Sequence, residues 1–263
     1  MSAIRINIYS ELLGKERDKM SKRVVVMPAL NAEKTLAATY SLIPKDCVDE
    51  VILVDDGSVD ATVDIAKRLG IHVVAHPHNA GYGANQKTCY MEALRRDADV
   101  VIMLHPDGQH DPKIIPRMIQ EIENKSGDLV LASRFLPPGD ALKGGMPLYK
   151  FFFNRLLTLV ENIALGLRMS EYHTGYRAYS RKLLETIPFL RNSNDFVCDQ
   201  QIVFQTVSFG FNICELPIQT RYLDGSSSIG FSRSVVYGLM TLCYAFSYLL
   251  FRSGLFKSRL FKK

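Results

Sequence analysis

Over its first half the chain alternates short apolar runs with longer stretches of helical spacing. Val24-Val25-Val26-Met27 is an apolar run ended by Pro28 and reads as a buried strand. Val51-Ile52-Leu53-Val54 is a second, closing on Asp55-Asp56-Gly57-Ser58. Residues 71–75, 100–104 and 129–132 predict three more strands. Between the strands, apolar positions recur at helical spacing over residues 33–43, 60–69, 84–96 and 112–123. The punctuation agrees: Asp60 is placed as an N-cap, Gly70 ends its helix, and Pro112 sits in a first turn. Apolar strands alternating with helices predict an α/β fold, a mostly parallel sheet covered on both faces. On such sheets ligands bind at the carboxyl ends of the strands. The polar clusters fall at those ends: Pro28-Ala29-Leu30-Asn31, Asp55-Asp56, and His105-Pro106-Asp107-Gly108-Gln109.

After Arg134 the pattern changes. Residues 136–140 and Gly144-Gly145 form a loop rich in turn residues. A long, mostly apolar helix is predicted over 148–165, followed by the polar segment 171–177. Residues 199–209 read as a helix, and 213–222 as a strand region broken at Pro217. From Ser234 to Phe251 there are 18 uncharged residues between Arg233 and Arg252.

Charge sharpens this picture. The net charge of +5 is uneven: from Gly225 onward there are six basic residues and no acidic one, leaving 26 basic against 27 acidic in residues 1–224. A nucleic-acid-binding domain would spread or stripe its charge over the fold, so no nucleic acid partner is expected. A basic tail points to a membrane surface instead. The 18-residue stretch is at the lower limit for a span, and three readings apply to it: an in-plane surface helix, a span, or a helix packed on the body or a second subunit. We take the in-plane reading; the packed one leaves a homo-oligomer open. Five scattered cysteines without C-x-x-C spacing suggest reduced thiols. Residues 1–23 have no apolar core of signal-peptide length, so the expected location is cytoplasmic, peripheral on the cytosolic membrane face.

The candidate chemistry lies in carboxylates at strand ends. No G-x-G-x-x-G follows the first strand, and Gly81-Tyr82-Gly83 lacks the third glycine. There is no P-loop and no G-x-S-x-G elbow. Asp55 and Asp56 could accept hydrogen bonds from a base or ribose; equally, Asp-Gly-Ser is common turn chemistry. Asp107 and Gln109 are two residues apart, so in an extended segment both point one way and could share a hard cation, Mg²⁺ or Mn²⁺. His105 lies on the same side, whereas Asp111 reads as a helix cap. The bland reading of this stretch is a solvated loop.

Six segments in order carry a resemblance: Pro28 to Glu33, Val54 to Asp60, Asn79 to Gly83, Asp107 to Pro112, Ser133-Arg134, and Thr174 to Arg181. They resemble the inverting family-2 glycosyltransferases of the GT-A fold, and nearest among them the dolichol- and polyprenyl-phosphate sugar synthases. The resemblance covers residues 24–222. It implies a nucleotide-sugar donor, a UDP- or GDP-sugar, and a polyprenyl phosphate acceptor. It implies that Pro28 and Leu30 contact the nucleotide, that Asp56 bonds the base with Asp55 in support, and that Asp107 and Gln109 hold the metal. Arg134 and Arg221 would hold the donor diphosphate, and Arg177 would be available to an acceptor phosphate. Asp199 stands where many relatives have their base, and could act so, orient the acceptor, or merely cap the helix after it. His173 is a candidate phosphate contact or a structural histidine. Three residues depart from the pattern and bear on the donor: His105 replaces the first aspartate of D-x-D, Ala32 replaces a glutamate, and Ser227 or Ser228 replaces a lysine. The expected organisation is a lead segment (1–22), a GT-A domain (23–230) and a C-terminal helix (231–263). Three rivals are weighed: transfer to a hydroxyl acceptor with Asp199 as base, a nucleotidyltransferase, and an inactive nucleotide-sugar-binding module. The second would need a glycine-rich loop after the first strand, and residues 28–33 contain no glycine.

Overall fold

Residues 21–136, 138–219 and 230–261 are described by the structure, a computed structural model. Arg221, Ser227, Ser228 and the lead segment up to residue 20 lie outside them. The strands are β1 (Arg23–Ala29), β2 (Glu50–Asp55), β3 (His72–Ala75), β4 (Val100–Met103), β5 (Leu129–Ser133), β6 (Arg177–Ser180) and β7 (Ile213–Pro217). They form one seven-stranded sheet in the order β3-β2-β1-β4-β6-β5-β7. Every pairing is parallel except those of β6, which runs antiparallel to β4 and β5. The expected α/β sheet is therefore present, with one reversed strand that the polar reading of 171–177 did not anticipate. Arg-Ala-Tyr-Ser has no apolar run, and its place between two buried strands is set by register alone, Met103 against Arg177 and Leu131 against Arg177.

Both faces of the sheet are buried, because alternate residues of each strand enter different cores. Val24, Val26, Ile52 and Val54 join one cluster; Val25, Met27 and Leu53 join the other. The helices are α1 (Leu36–Ser41), α2 (Thr62–Arg68), α3 (Tyr82–Arg95), α4 (Ile115–Glu123), α5 (Asp140–Lys143), α6 (Leu148–Leu165), α7 (Arg181–Thr186), α8 (Cys198–Ser208) and α9 (Phe231–Arg252). Asp60 accepts the Thr62 N–H at 3.0 Å, but the N-cap of α2 is Ala61, one residue later than expected; Gly70 takes φ +72° after α2, as its sequence position predicts. Asp111 caps the 3₁₀ turn Pro112–Ile114 by accepting from the Lys113 N–H.

Helices α6 and α9 pack against each other, and α9 also touches α8. The C-terminal segment folds back, placing Phe261 in the core beside Phe204, Tyr248 and Phe251. Helix α6 is inside-out. Its buried face carries Asn154, Thr158 and Glu161, together with Leu157, Ala164 and Leu165. Its outer face carries Leu148, Phe152 (64% exposed), Phe153, Leu156, Leu159 and Ile163 (69% exposed). Helix α9 continues this apolar surface with Val235, Val236, Leu239, Met240, Phe246 and Leu249. Residues 232–252 are long and apolar enough to cross a membrane by length and composition.

Candidate active site

A cavity of about 460 Å³ opens at the carboxyl end of β4 and runs outward between α6 and α9. Its inner end is lined by Tyr82, His105, Asp107, Gln109, His110, Arg134, Lys150 and Asp199. Toward α6 and α9 it is lined by Met146, Phe153, Leu156, Leu157, Leu239 and Leu242, together with the polar Asn154, Ser234 and Tyr237. Six of the residues picked from sequence thus line one cavity: His105, Asp107, Gln109, Arg134, His173 and Asp199.

The 105–109 segment is a turn, not the extended stretch expected. Gly108 has φ +72°, and Asp107 Oδ1 accepts the Gln109 N–H at 3.0 Å, so the turn itself aims the pair. Among the described residues no three of His, Cys, Asp and Glu are grouped to hold a cation. A cation held by Asp107 and the Gln109 amide oxygen would need further ligands, such as phosphate oxygens. The donor chemistry fits a hard cation, a carboxylate and an amide oxygen lining one cavity; His105 Nε2 nearby in sequence is buried without a hydrogen-bond partner. His110 Nδ1 is likewise without one. Burial, then Arg134 and His105, push the His110 imidazole down to about 3, so it is neutral at physiological pH.

Arg134 is aimed by Glu171. Its guanidinium Nε donates to Glu171 Oε1 at 2.9 Å, its NH2 bonds the same oxygen, and a further bond reaches the His173 carbonyl at 2.9 Å. Burial raises the Glu171 carboxyl, but the Arg134 guanidinium and the Asn154 amide outweigh it and hold the group below its usual range. Glu171 is therefore ionised and matched to one arginine. Lys150 brings a second cation to the cavity from α6, its ammonium lowered by burial and then by Arg134.

Asp199 accepts a hydrogen bond from Tyr82 Oη at 3.0 Å, and its Oδ1 stands 3.7 Å from Arg177. Burial, then Asp199, push the Tyr82 phenol well above its usual value, so it remains the donor. Arg177 corrects the expectation of a phosphate contact. It is fully buried, and its guanidinium donates to the carbonyls of Thr174, Asp199 and Tyr172 at 2.7, 2.8 and 2.9 Å. Burial works against its charge, yet Asp199 and the neighbouring tyrosines outweigh it and raise the guanidinium above its ordinary value. Arg177 ties β6 to α8 and does not face a ligand.

The β1 and β2 residues lie at neighbouring strand ends, outside the cavity lining. Pro28 is buried within β1, in register with Val54, while Leu30 is exposed just beyond the strand. Asp55 and Asp56 differ in what their carboxylates meet. Asp56 is taken up internally: Oδ1 accepts from His76 Nδ1 (2.8 Å) and the Ala80 N–H (2.9 Å), and Oδ2 from the Gly81 N–H (3.1 Å). Asp55 Oδ2 accepts from Gly57 and Ser58, but its Oδ1 has no hydrogen-bond partner. Asp56 therefore organises the loop that carries Tyr82. The Gly81 and Gly83 signal is explained by packing: a Cβ at Gly83 would lie 2.4 Å from the Ser193 carbonyl oxygen. His173 also lines the cavity; its Nδ1 is 2.7 Å from Tyr237 Oη, and its buried Nε2 stands 3.1 Å from the Glu161 carboxylate without making a hydrogen bond.

Sequence reasoning missed Tyr82, His110, Lys150 and Glu171. Tyr82 lies between two motif glycines that draw the eye to the backbone, Lys150 lies in a segment with no motif, and Glu171 opens a polar segment that does not show its partner.

A mostly parallel sheet with one reversed strand, its carboxylates and arginine gathered at strand ends, is the GT-A architecture. The chain matches glycosyl transferase family 2 over residues 24–188 and belongs to that family. It is a glycosyltransferase. A UDP-N-acetylglucosamine–dolichyl-phosphate N-acetylglucosaminyltransferase of Methanococcus voltae is 29% identical over 224 residues, 78% of this chain and 88% of that one. A polyprenol monophosphomannose synthase of Mycolicibacterium smegmatis is 26% identical over 205 residues, covering 75% and 76%. Glucosyl-3-phosphoglycerate synthase of Mycobacterium tuberculosis, solved with Mn²⁺, UDP and phosphoglyceric acid, shares the fold with a TM-score of 0.67 at 21% identity, over 91% of this chain and 81% of that one.

Proposed function

We propose that this glycosyltransferase moves a sugar, with inversion, from a UDP- or GDP-sugar to a polyprenyl phosphate at the cytosolic face of a membrane. The observation that carries this reading is the mixed lining of the cavity. Two carboxylates, Asp107 and Asp199, and two cations, Arg134 and Lys150, share one cavity with many apolar side chains of two helices whose outer faces are themselves apolar. An acceptor with an anionic head and a long apolar tail matches both kinds of lining, and both relatives named above are phosphopolyprenyl sugar transferases by name.

In this reading Asp107 and Gln109 hold a divalent cation, Mg²⁺ or Mn²⁺. Such a cation supplies positive charge against the diphosphate leaving group. Asp55 Oδ1 accepts from the base, with Leu30 against it. Arg134, aimed by Glu171, and Arg221 hold diphosphate oxygens, and Lys150 meets the acceptor phosphate. A phosphate oxygen attacks the anomeric carbon from the face opposite the diphosphate, and the bond to the diphosphate oxygen breaks. A phosphate is already anionic, so no base is required, and Asp199 orients the acceptor. One observation favours a second reading: Asp199 lines the cavity and its Oδ1 accepts no hydrogen bond, which suits a base for a hydroxyl acceptor. Residues 23–230 form the transferase domain here, and 231–263 the helix and tail that seat it on lipid.

The test is transfer from UDP- and GDP-sugars to a polyprenyl phosphate, the matching polyprenyl alcohol, and soluble hydroxyl acceptors. Turnover with the phosphate alone is expected; preference for a soluble hydroxyl acceptor would favour the second reading.

A further inference from the structure

We propose that Asn154 of α6 and Tyr237 of α9 are positioning residues for Arg134: acting through Glu171 and His173, they hold its guanidinium where it meets the donor diphosphate. The proposal rests on the diphosphate role given to Arg134 above.

Arg134 sits in a cradle made by residues 171–173. Glu171 accepts from the Arg134 main-chain N–H at 2.9 Å and from its Nε and Nη2, and the His173 carbonyl accepts from Nη2 at 2.9 Å. Residues 171–173 belong to no helix or strand, so no ladder of main-chain bonds fixes them. Side chains of other elements do so instead. Glu171 Oε1 also accepts from Asn154 Nδ2 at 2.8 Å, and Asn154 Oδ1 accepts in turn from Thr158 Oγ1 at 3.3 Å. The Tyr172 hydroxyl donates to Asn162 Oδ1 at 2.8 Å, and its carbonyl accepts from Arg177 at 2.9 Å. The His173 ring is held by α8 and α9. Gln200 Nε2 lies 2.9 Å from Nδ1 and also donates to Tyr237 Oη, which is itself 2.7 Å from Nδ1. An amide nitrogen only donates, and a phenol keeps its hydrogen at neutral pH, so Nδ1 is the acceptor and Tyr237 has a hydrogen to give it.

Each residue of the cradle is therefore tied to a helix, and α6 and α9 supply the outermost ties. This accounts for the inside-out α6. Apolar side chains at 154 and 158 would pack in a core equally well, but they could not hold the carboxylate that aims the arginine. Asn154, Thr158 and Glu171 are buried, so a lost partner leaves a polar atom unsatisfied and the carboxylate less firmly held.

Calorimetry of UDP and GDP binding to the full chain with Mg²⁺ tests this in a double-mutant cycle. Tyr237→Phe removes one hydroxyl, and Asn154→Leu removes both hydrogen bonds at similar size. Each is expected to raise the Kd of the nucleotide that binds by about five-fold or more, and by less than about two-fold when Arg134 is already alanine. In steady-state kinetics the KM for the nucleotide sugar should rise and the KM for the acceptor should not; equal rises in both would overturn the proposal. Weakened binding in Arg134→Ala beside wild-type binding in Tyr237→Phe and Asn154→Leu overturns this proposal alone. So does a loss that persists undiminished in the Arg134→Ala background, which would mark a direct contact or a general loss of packing. Wild-type nucleotide affinity in Arg134→Ala, or no nucleotide binding to the wild type, overturns the diphosphate reading and this proposal with it. If Asn154→Leu does not fold, the Tyr237→Phe cycle decides by the same ratios.

Discussion

Arg134 and Arg177 carry the same charge, and the fold uses them in opposite ways. Arg134 lines the cavity and is oriented by one buried glutamate. Arg177 spends its guanidinium on three main-chain carbonyls and stands near Asp199 with no exposed surface. Arg177→Met should therefore act through stability. Removing one partner of a buried ion pair costs about 3–5 kcal/mol. The melting temperature should fall by several degrees or more, and activity should fall equally for phosphate and hydroxyl acceptors. An unchanged melting curve with a loss confined to phosphate acceptors would restore Arg177 as a ligand contact. Motif order was enough to gather His105, Asp107, Gln109, Arg134 and Asp199, because each sits at a strand or helix end that topology brings together. It could not say which arginine points inward. That depends on where the carbonyls of Tyr172, Thr174 and Asp199 converge, which no local pattern records.

At the scale of elements, α6 and α9 decide what the cavity can accept. Periodicity predicted both helices closely, since a long apolar run without breakers leaves few alternatives. It did not predict that α6 turns Asn154, Thr158 and Glu161 inward and its phenylalanines outward, because polarity alone does not say which stripe faces the core. Gly238 on α9 faces Leu157 on α6, with space for only an ordinary contact at 3.7 Å from a Cβ. Gly238→Phe should obstruct the groove while leaving the polar end intact. The KM for a long-chain polyprenyl phosphate is expected to rise at least ten-fold, with kcat on a short-chain prenyl phosphate retained. Steady-state kinetics over acceptors of increasing length would check this; a loss independent of chain length would place the tail elsewhere. The reversed strand β6 was illegible for a related reason: its four residues are polar at both ends, and only its neighbours make it a strand.

At the scale of the whole molecule, the excess positive charge belongs to one end of the chain, and the exposed apolar faces of two helices lie together on the same body. Exposed apolar side chains contiguous over two helices call for a cover. In the proposed function that cover is a lipid surface, with the apolar faces of α6 and α9 in the interface and basic residues near anionic headgroups contributing about 1 kcal/mol each. The double substitution Phe152→Glu and Leu239→Glu changes two exposed side chains, so the melting temperature should hold. Co-flotation with liposomes containing anionic lipid should be lost, and flotation equal to wild type would remove these helices from the membrane contact. The central claim concerns what is made at that surface. Its most direct measurement is mass spectrometry of the lipid fraction after incubation with a nucleotide sugar, a divalent cation and liposomes bearing polyprenyl phosphate. The account predicts a polyprenyl phosphate carrying one sugar, formed in equal amount with the nucleoside diphosphate. Nucleoside diphosphate released only when a hydroxyl acceptor is supplied, with the polyprenyl phosphate recovered unchanged, would contradict it.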